Sequence, residues 1–492
     1  MGGAERLIRR VGPGQWEVAP TVTGIQLDSR AVNPGDVFVA ILGLHEDGHQ
    51  YLADAAARGA VAAVVEHPMP SVLPTLVVPS ARIAAAELAA ALYGQPGRQL
   101  MVTGVTGTNG KTSVVYWLRQ LLEGYGHGAG MLSSVRNVTG RDREDDAWLT
   151  TPDAPDVQRA LAQMVAHGLG RAVLEVSSHG LVQHRVDAIG FSVAVLTNIT
   201  REHLDYHGTM ENYVAAKARL FTDLLNDDGV AVLNADDPHA IELAPAIAAR
   251  VLTYGVMRGD VRAHIEHETP HATDVTVFVA GAAGVPITVP FPGRYNVYNT
   301  LAAVAAAVVQ GVPPDAALAQ VIRLEEVPGR LELVSDVGAV RVMVDYAHTP
   351  DGLEQVLHTV RRLAAPTGRV WLVFGARGGR DRGKRPLMGR IAGRLADRVV
   401  LTADSPNEEE PGAIAEELAE GLLAAGCRPH AVELDRTRAI RMAVTEAAAG
   451  DVVLITGRGP EREQVMGARR VLLDDREVVR RVVAEGPAPV MP

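Results

Sequence analysis

The 492-residue sequence has one cysteine, 4% aromatic residues and almost no lysine. A single thiol, Cys427, excludes a disulfide framework and fits a reducing compartment, so we expect a cytoplasmic protein. No apolar run reaches the roughly 18 residues that a membrane span needs, and MGGAERLIRR at the start lacks the apolar stretch of a secretion signal. The 47 basic and 58 acidic side chains give a net charge of -11, which argues against nucleic-acid binding.

The scarcity of lysine is itself informative. The 47 basic residues include only three lysines, at positions 111, 217 and 384, so the other 44 are arginines. Arginine is a wide, permanently charged fork, whereas lysine is a slim point charge whose amine can lose its proton. A lysine that persists in such a chain is therefore a candidate for a role that arginine cannot fill. The alternative is that the three lysines persist by chance.

Two turn-rich segments, YGQPGRQ at 93–99 and EEVPGRLE at 325–332, predict three α/β domains covering residues 1–98, 99–328 and 329–492. The central domain alternates buried-strand and helix patterns, which favours a parallel sheet, and the third domain repeats strand–helix units. Residues 275–289 alternate as antiparallel strands do. Apolar runs predict the other strands at 37–42, 60–65, 76–78, 172–176, 193–197, 230–234, 340–344, 370–374, 399–402, 431–434 and 452–456.

A phosphate-binding motif lies between a predicted strand and a predicted helix. GVTGTNGKT at 104–112 matches G-x-x-x-x-G-K-[ST], in which glycines turn backbone N–H groups toward phosphate oxygens at a helix N-terminus. Lys111 can reach the β and γ phosphates, and the Thr112 hydroxyl can hold Mg²⁺. The motif predicts an ATP or GTP site, and the flanking strand and helix argue against a chance match. No N-K-x-D motif of a signalling GTPase occurs, and the strand RAVLEV carries Glu175 rather than the terminal Asp usual in motor ATPases.

A second group of candidate metal ligands follows another predicted strand. The segment 197–221, TNITREHLDYHGTMENYVAAKARLF, carries His203, Asp205, His207 and Lys217. Neutral imidazoles and carboxylates are suitable ligands for a divalent metal. We favour His203 and Glu175 as ligands and interpret His207 as a solvated loop residue. For Lys217 the alternative is an ordinary lysine on a helix surface.

These segments together resemble the Mur ligases, the ATP-dependent amide-bond-forming enzymes of peptidoglycan assembly, and most closely the UDP-N-acetylmuramoyl-tripeptide synthetases. The resemblance implies a small UDP-binding α/β domain, a central P-loop ATPase with a parallel sheet, and a C-terminal Rossmann-like domain that brings the amino acid. It also implies that ATP phosphorylates the carboxylate of UDP-MurNAc-L-Ala-D-Glu and that an amine attacks the acyl phosphate, a reaction that depends on positioning and charge neutralisation. The resemblance is carried by LDSR, NPGDVFVAILG, GVTGTNGKTS, EVSSHGLVQHRV, REHLDYHG, AAKARLF, GRYNVYN, PGRLE, DYAHTPDGLE, RDRGKRPLMG and ITGRGPE.

The family motifs also imply roles for single residues. Mg²⁺ would be held by Thr112, Glu175 and His203, helped by Lys217 as a carbamate (N6-carboxylysine), which arginine cannot form. Lys384 lies in the GKRP motif, so all three lysines fall on motif positions and chance survival is a poor explanation. The implied ATP contacts are Gly107, Thr108, Asn109, Gly110, Lys111, Thr112, Ser113, Asn299, Arg330 and Asp345. The implied UDP-MurNAc-dipeptide contacts are Leu27, Ser29, Thr150, Thr151, Ser177, Gln183 and Arg185.

Three sets of polar residues keep a structural alternative. Asn296 or Asn299 can simply cap the Ala-rich helix that follows. Asp345 can close an Asx turn at the end of a strand, and His348 lies beside it in sequence. Asp474 and Asp475 are interpreted as a solvated turn without a role.

The added amino acid is predicted from a loop of the third domain. Family members that add meso-diaminopimelate carry D-N-P-R there, whereas this chain reads Asp404, Ser405, Pro406, Asn407, and Asn cannot make a bidentate charged pair. The acidic run at 408–410 suits a terminal ammonium, although it can equally be a solvated helix start. We therefore predict addition of L-lysine or L-ornithine, with meso-diaminopimelate as the alternative. The remaining implied contacts are Arg380, which would bind the α-carboxylate, Gly457 and Glu461, while Arg458 and Pro460 depart from the family pattern.

Two other functions are weighed against this one. A different superfamily member, such as folylpolyglutamate synthetase, is disfavoured by LDSR and EVSSHGLVQHR. A P-loop binding or regulatory protein would need neither the second metal group nor Lys217. We expect a monomer with small-molecule substrates and with ATP and Mg²⁺, without nucleic-acid partners or membrane insertion.

Overall fold

The computed structural model describes residues 21–43, 46–147, 149–269, 271–337 and 340–485. The first of its three large sheets has four parallel strands in the order β1-β2-β3-β4. Buried Val, Ala and Ile side chains of these strands pack against an Ala-rich helix, α2. The strands are β1 (Gly24–Gln26), β2 (Asp36–Val39), β3 (Ala62–Val65) and β4 (Thr75–Val77), the helices are α1 (Leu52–Ala57) and α2 (Ala81–Leu92), and 3-10 turns cover Ser29–Ala31, Gly48–Tyr51 and Pro96–Arg98.

The second sheet has eleven strands in the order β15-β14-β13-β12-β11-β10-β5-β9-β6-β7-β8. Its centre, from β6 to β13, is parallel, and antiparallel strands extend it on both sides. The strands are β5 (Met101–Thr106), β6 (Ala129–Leu132), β7 (Arg136–Gly140), β8 (Arg143–Asp146), β9 (Arg171–Glu175), β10 (Phe191–Leu196), β11 (Leu225–Asn234), β12 (Arg250–Gly255), β13 (Val261–Glu268), β14 (Thr273–Val279) and β15 (Val285–Val289). The prediction of a parallel sheet with antiparallel strands at 275–289 is confirmed.

The helices of this part bury small side chains closely against the sheet. In α9, Ala and Val residues are buried on almost every side, because the helix packs on α3 and on strands β11 and β12 together. The helices are α3 (Lys111–Gly124), α4 (Ala154–Ala166), α5 (Ser178–Val182), α6 (Leu204–His207), α7 (Met210–Thr222), α8 (Pro238–Leu243), α9 (Arg294–Val309) and α10 (Pro314–Gln320), with 3-10 turns at Ala244–Ala246 and Val321–Arg323.

The third sheet has six strands in the order β16-β17-β21-β18-β19-β20, and only the edge strand β16 is antiparallel. Helices cover both faces of it. The elements are β16 (Glu332–Val337), β17 (Val340–Val344), α11 (Pro350–Leu363), β18 (Val370–Phe374), α12 (Lys384–Leu395), β19 (Arg398–Leu401), α13 (Pro411–Ala424), β20 (Ala431–Val432), α14 (Arg436–Glu446), β21 (Val452–Ile455), the hairpin β22 (Glu463–Met466) and β23 (Arg469–Leu472), and α15 (Asp475–Glu485). Among the described residues, no helix is long and apolar enough to cross a membrane.

The interpretation of Asp474 and Asp475 as a solvated turn is wrong. Asp475 is completely buried, and its carboxylate accepts hydrogen bonds from Arg436 Nε at 2.8 Å and Nη2 at 2.7 Å. Asp474 accepts from Arg476. Burial by itself lowers the pKa of Arg436, but the Asp475 carboxylate outweighs that effect and raises it. The sequence shows no arginine beside these aspartates except Arg476, because Arg436 reaches them from a distant helix.

Asp475→Asn should destabilise the third domain by about 3–5 kcal/mol, because it leaves the buried Arg436 guanidinium without its charge partner. Chemical denaturation followed by circular dichroism measures this loss. Glu477→Gln is the matched control, since Glu477 is exposed on the same helical turn. Equal unfolding free energies for the two variants would contradict this account of Asp475.

Candidate active site

A cavity of about 1450 Å³ lies where the central and C-terminal sheets face each other. Its walls include residues at the carboxyl ends of five parallel strands, namely Glu175, Asp345, Arg377, Asp404 and Gly457. Ligands of open α/β sheets bind at these ends. The described residues of the first domain do not line this cavity, so the structure does not bring Leu27 and Ser29 to it: Ser29 is buried and Leu27 packs against the first domain's own core.

The P-loop is held in a tight turn at the end of β5. Gly107 has a φ of 143°, and a Cβ there would lie 1.8 Å from Thr197 Oγ1. Thr197 Oγ1 donates to the Asn109 carbonyl at 2.6 Å, and Asn198 Oδ1 accepts from the Asn109 N–H at 3.0 Å. Strand β10 therefore fixes the loop from outside. The sequence motifs do not single out Asn198, although its position just after a buried strand could have indicated this role.

Lys111 folds back over this loop. Its Nζ donates to the carbonyls of Gly107 at 2.9 Å and Thr108 at 2.8 Å. Burial lowers the pKa of this amine, while Glu175 and Glu202 act in the opposite direction. An ammonium in this place can meet the β and γ phosphates of a nucleotide that lies along the loop. Thr108, Asn109, Gly110, Thr112 and Ser113 also line the cavity.

A network of oxygen atoms surrounds Thr112. Thr112 Oγ1 lies 3.0 Å from Ser134 Oγ, and the Ser134 backbone N–H donates to Glu175 Oε1 at 2.8 Å. Arg330 Nη2 donates to Thr112 Oγ1 at 2.7 Å, and its guanidinium lies 4.3 Å from the centre of the Tyr346 ring. Hydroxyl and carboxylate oxygens are the hard ligands that Mg²⁺ prefers, usually one or two from protein with the rest from phosphates and water. The donor set therefore fits a magnesium ion, although within the described ranges no three His, Cys, Asp or Glu side chains group as a metal site.

Lys217 is not a surface lysine. It is 1% exposed, its Nζ donates to the Gly107 carbonyl at 2.8 Å, and it lies 4.5 Å from the centre of the Tyr213 ring. Burial, reinforced by Lys111, lowers the pKa of its amine well below the ordinary value, against the opposing effect of Glu202. A neutral amine is the form that attacks CO₂, so this environment suits formation of a carbamate.

Three histidine rings, those of His179, His203 and His207, lie close to one another in this part of the site. The His203 ring lies 4.6 Å from that of His179. Burial lowers the pKa of His203 to about 3 and that of His179 to about 4, so both rings are neutral near pH 7. A neutral ring nitrogen can bind a metal, which keeps His203 a candidate ligand. The interpretation of His207 as solvated is wrong, because it is buried with Nε2 3.0 Å from Ser178 Oγ, a contact that its sequence position does not reveal.

Glu202 is a buried carboxylate that sequence analysis missed. Its Oε1 pairs with His348 Nε2 at 2.8 Å, and its Oε2 lies 3.7 Å from His203 Nε2. Burial raises its pKa, but His348 and His203 outweigh burial and keep the pKa well below the ordinary value. Its position next to the candidate ligand His203, in the segment TREH, could have indicated that Glu202 belongs to the site. The pair with His348 joins the central and C-terminal domains.

The structural alternatives for Asn296, Asn299 and Asp345 differ in their outcome: helix capping is wrong for both asparagines, and the Asx turn at Asp345 is present. Neither Asn caps the helix, since α9 begins after Gly293; Asn296 Nδ2 donates to the Pro292 carbonyl, and Asn299 lies inside α9. Asp345 does close an Asx turn, accepting from Ala347 N at 2.7 Å and from Leu331 N at 2.6 Å. Both Asn299 and Asp345 also line the cavity, so their nucleotide contacts stay predictions.

The predicted dipeptide contacts of the central domain form one wall of the cavity. Thr150, Thr151, Ser177, Gln183 and Arg185 all line it. Arg185 donates to the Thr151 carbonyl at 2.8 Å and to Gln183 Oε1 at 2.7 Å, and Thr151 Oγ1 donates to Ser177 Oγ at 3.1 Å. These bonds hold polar groups next to the phosphate loop.

The predicted amino-acid loop only partly faces the cavity. Arg380, Asp404, Gly457 and Glu461 line it, whereas Ser405, Pro406 and Asn407 do not. Ser405 Oγ accepts from the buried Arg458 at 3.1 Å, and Asn407 Nδ2 donates to the Gly378 carbonyl at 2.6 Å. The structure thus does not bring these three residues to the cavity: Ser405 is bonded to the Arg458 side chain, and Asn407 is bonded to the backbone of Gly378.

The acidic run also differs from the expected ammonium site. Glu409 accepts from the Arg385 guanidinium at 2.9 Å and from the Gly379 N–H. Its hydrogen bond with Arg385 lowers the pKa of Glu409 to about 2. Glu408 and Glu410 are exposed, and Glu410 precedes the first residue of α13. Within the acidic run, Glu409 therefore forms an ion pair with Arg385, and Glu410 lies at the start of a helix.

The fold and the site define a class of protein: an ATP-dependent ligase, with a P-loop on a parallel sheet facing a Rossmann-like sheet across one cavity. Models of three domains match the chain: "Mur ligase family, catalytic domain" over residues 21–93, "Mur ligase middle domain" over 105–307 and "Mur ligase, glutamate ligase domain" over 329–459. The chain belongs to the Mur ligase family and is a ligase of peptidoglycan precursor synthesis.

Full-length relatives agree with this assignment. The UDP-N-acetylmuramoyl-L-alanyl-D-glutamate--2,6-diaminopimelate ligase of Geobacter metallireducens is 41% identical, over 98% of both chains. The UDP-N-acetylmuramyl-tripeptide synthetase of Roseiflexus sp. is 42% identical, over 95% of this chain and 96% of the relative. A solved 2,6-diaminopimelate ligase structure shares 31% identity with a TM-score of 0.64, over 97% of this chain and 98% of the other.

Lys111→Ala should lower ATP turnover by about 100-fold or more, because it removes the positive charge expected at the transferred phosphate. Phosphate release measures the rate, and an unchanged thermal unfolding midpoint establishes that the variant is folded. Near-normal phosphate release by a folded variant would show that the loop does not serve ATP.

Lys217→Ala and Lys217→Arg should both lose activity by at least about 10–100-fold, since neither can carry a carbamate that orients a metal. A small carboxylate such as acetate should restore part of the activity of the Ala variant only. Phosphate release with and without acetate tests this. Full activity of Lys217→Arg would mean that a positive charge is all that this position requires.

Proposed function

We propose that this enzyme uses ATP to join a diamino acid to the carboxylate of UDP-MurNAc-L-Ala-D-Glu. The observation that carries the proposal is the single cavity that combines the P-loop with the wall of Thr151, Ser177 and Arg185 and with Glu461 and Arg380 from the other sheet. A nucleotide, an acceptor carboxylate and an amine can therefore meet in one place. Consumption of ATP and of a UDP-linked precursor supports a cytoplasmic location.

Each part of the cavity has a chemical task in this proposal. Lys111 and Arg330 neutralise charge on the phosphates as the γ-phosphoryl group passes to the substrate carboxylate. Thr112 and Glu175 would hold Mg²⁺, with His203 and carbamylated Lys217 at a second Mg²⁺; these ions supply charge neutralisation when bound. The incoming amine then attacks the acyl carbon and loses a proton as the C–N bond of the amide forms. Phosphate leaves with the electrons of the C–O bond and can carry that proton away.

The names of the relatives support 2,6-diaminopimelate, the alternative, over the L-lysine or L-ornithine expected from the sequence. Seven of the relatives that are 39–42% identical carry that name. The cavity supports it too, because Arg377 and Arg380 line it and can face a second carboxylate. The absence of an arginine at position 407 is thus not decisive, since Asn407 does not line the cavity.

L-lysine or L-ornithine remains the second candidate on one specific observation. Position 407 carries Asn, held at a left-handed φ of 52° and bonded to the Gly378 carbonyl, where diaminopimelate-adding members carry arginine. Asn adopts this backbone conformation more readily than most residues. The Roseiflexus relative carries a name that specifies no amino acid.

An amino-acid panel tests the proposed function. Phosphate release is measured with ATP, Mg²⁺ and UDP-MurNAc-L-Ala-D-Glu, with meso-diaminopimelate, L-lysine or L-ornithine added singly. We expect release to depend on both substrates and kcat/KM to be greatest with meso-diaminopimelate. A preference of about 100-fold for L-lysine or L-ornithine would select the second candidate. No release with any pair would contradict the ligase proposal.

A further inference from the structure

We propose that Arg377 is the residue that selects the amino acid, by binding the distal carboxylate of a diamino dicarboxylic acid while Glu461 binds its distal ammonium. This inference rests on the proposed function. It assigns to the turn after β18 a task that the family motifs place at position 407.

Arg377 and Glu461 form a two-pronged ion pair in the cavity wall. Arg377 Nη1 lies 3.2 Å from Glu461 Oε1, and Nη2 lies 3.2 Å from Glu461 Oε2. The side chains are 33% and 22% exposed, so each still presents atoms to the cavity. Burial by itself lowers the pKa of Arg377, but Glu461 outweighs it, so the guanidinium stays charged.

Arg377 lies close to residue 407, because the loops that carry the two residues are in direct contact. The neighbouring Gly378 donates its N–H to the Ser405 carbonyl at 3.0 Å, and its own carbonyl accepts from Asn407 Nδ2 at 2.6 Å. A Cβ at Gly378 would lie 1.8 Å from the Pro406 carbonyl oxygen, so the two loops touch without intervening side chains. A guanidinium at 377 can therefore act in place of one at 407, because Asn407 is hydrogen-bonded to Gly378, the residue next to Arg377.

The pair complements a zwitterion better than a simple ammonium. The distal end of meso-diaminopimelate carries a carboxylate and an ammonium on one carbon, which match the guanidinium and the carboxylate of the pair. L-lysine and L-ornithine bring an ammonium alone, which would compete with Arg377 for Glu461 and lie close to a second positive charge. Like charges at such distances disfavour binding.

The pair is also connected to the nucleotide site. Tyr346 OH donates to Glu461 Oε1 at 3.3 Å, and the ring of Tyr346 lies under the Arg330 guanidinium. Arg330 in turn donates to the Thr112 hydroxyl. These contacts fix the position of the amino-acid end of the cavity relative to the phosphate end. Aminolysis of an acyl phosphate requires such fixed positions, because the amine must be held next to the acyl carbon.

Arg377→Met keeps an unbranched apolar side chain in place of the aliphatic part of arginine and removes the guanidinium. We expect the KM for meso-diaminopimelate to rise about 30-fold or more, the effect of losing a hydrogen-bonded charge partner, with a smaller change in kcat. Use of L-lysine should be equal or improved. Arg377→Lys keeps the charge without the fork and should raise the same KM by about tenfold, which keeps the test decisive if Arg377→Met fails to fold.

Arg470→Met is the matched control, since Arg470 also lines the cavity and pairs with a glutamate, Glu463, at 3.2 Å. It should keep the wild-type preference. An equal loss for meso-diaminopimelate and L-lysine in folded Arg377 variants, or the selective loss appearing in Arg470→Met instead, would overturn the inference. So would a wild-type enzyme that ligates L-lysine or L-ornithine in preference to meso-diaminopimelate, an outcome that leaves the ligase function standing. Failure of every amino acid would instead overturn the proposed function.

Discussion

The carbonyl of Gly107 is the point on which the active site depends. It accepts hydrogen bonds from both Lys111 and Lys217, two amines that would repel each other if both were charged. The buried environment resolves this conflict by lowering the pKa of Lys217 well below its usual range. The turn that presents this carbonyl exists only because residue 107 has no Cβ, since any side chain there would meet the Thr197 hydroxyl. The close approach of the Gly107 backbone to the Thr197 hydroxyl therefore positions the phosphate loop against strand β10, next to the proposed carbamate.

A second constraint is the way in which the C-terminal domain completes the site. Glu202 pairs with His348, Asn109 Nδ2 donates to Asp351 at 2.8 Å, and Arg330 spans from Tyr346 to Thr112. These contacts place the carboxyl ends of two separate sheets against one cavity. The proposed chemistry requires this arrangement, because in that proposal the acyl phosphate would form at the first sheet and the attacking amine would bind at the second.

Much of the fold and of the site could be predicted from the sequence, because both depend on local sequence patterns such as apolar runs and motif spacing. Runs of Val, Ala and Leu predicted the strands, and the spacing of GVTGTNGKT placed Lys111 and Thr112 at a helix N-terminus. The three lysines in an arginine-rich chain pointed to Lys217, which is buried beside the phosphate loop. The wrong interpretations concern side chains whose partners are distant in sequence: His207 packs on Ser178, and Asp475 is buried against Arg436.

The sequence by itself determined the family, the order of the elements and the residue types available at each strand end. Only the tertiary structure decided which of those side chains face the cavity, because that depends on how loops from different strands pack. Asn407 was the expected determinant of the amino acid, yet its side chain is bonded to Gly378 and Arg377 lines the cavity instead. Burial lowers the pKa of Lys217 and of His203, whereas neighbouring histidines lower that of Glu202 against burial. Neither effect can be seen in the sequence, since desolvation and neighbouring charges act only after residues far apart in the chain have come together.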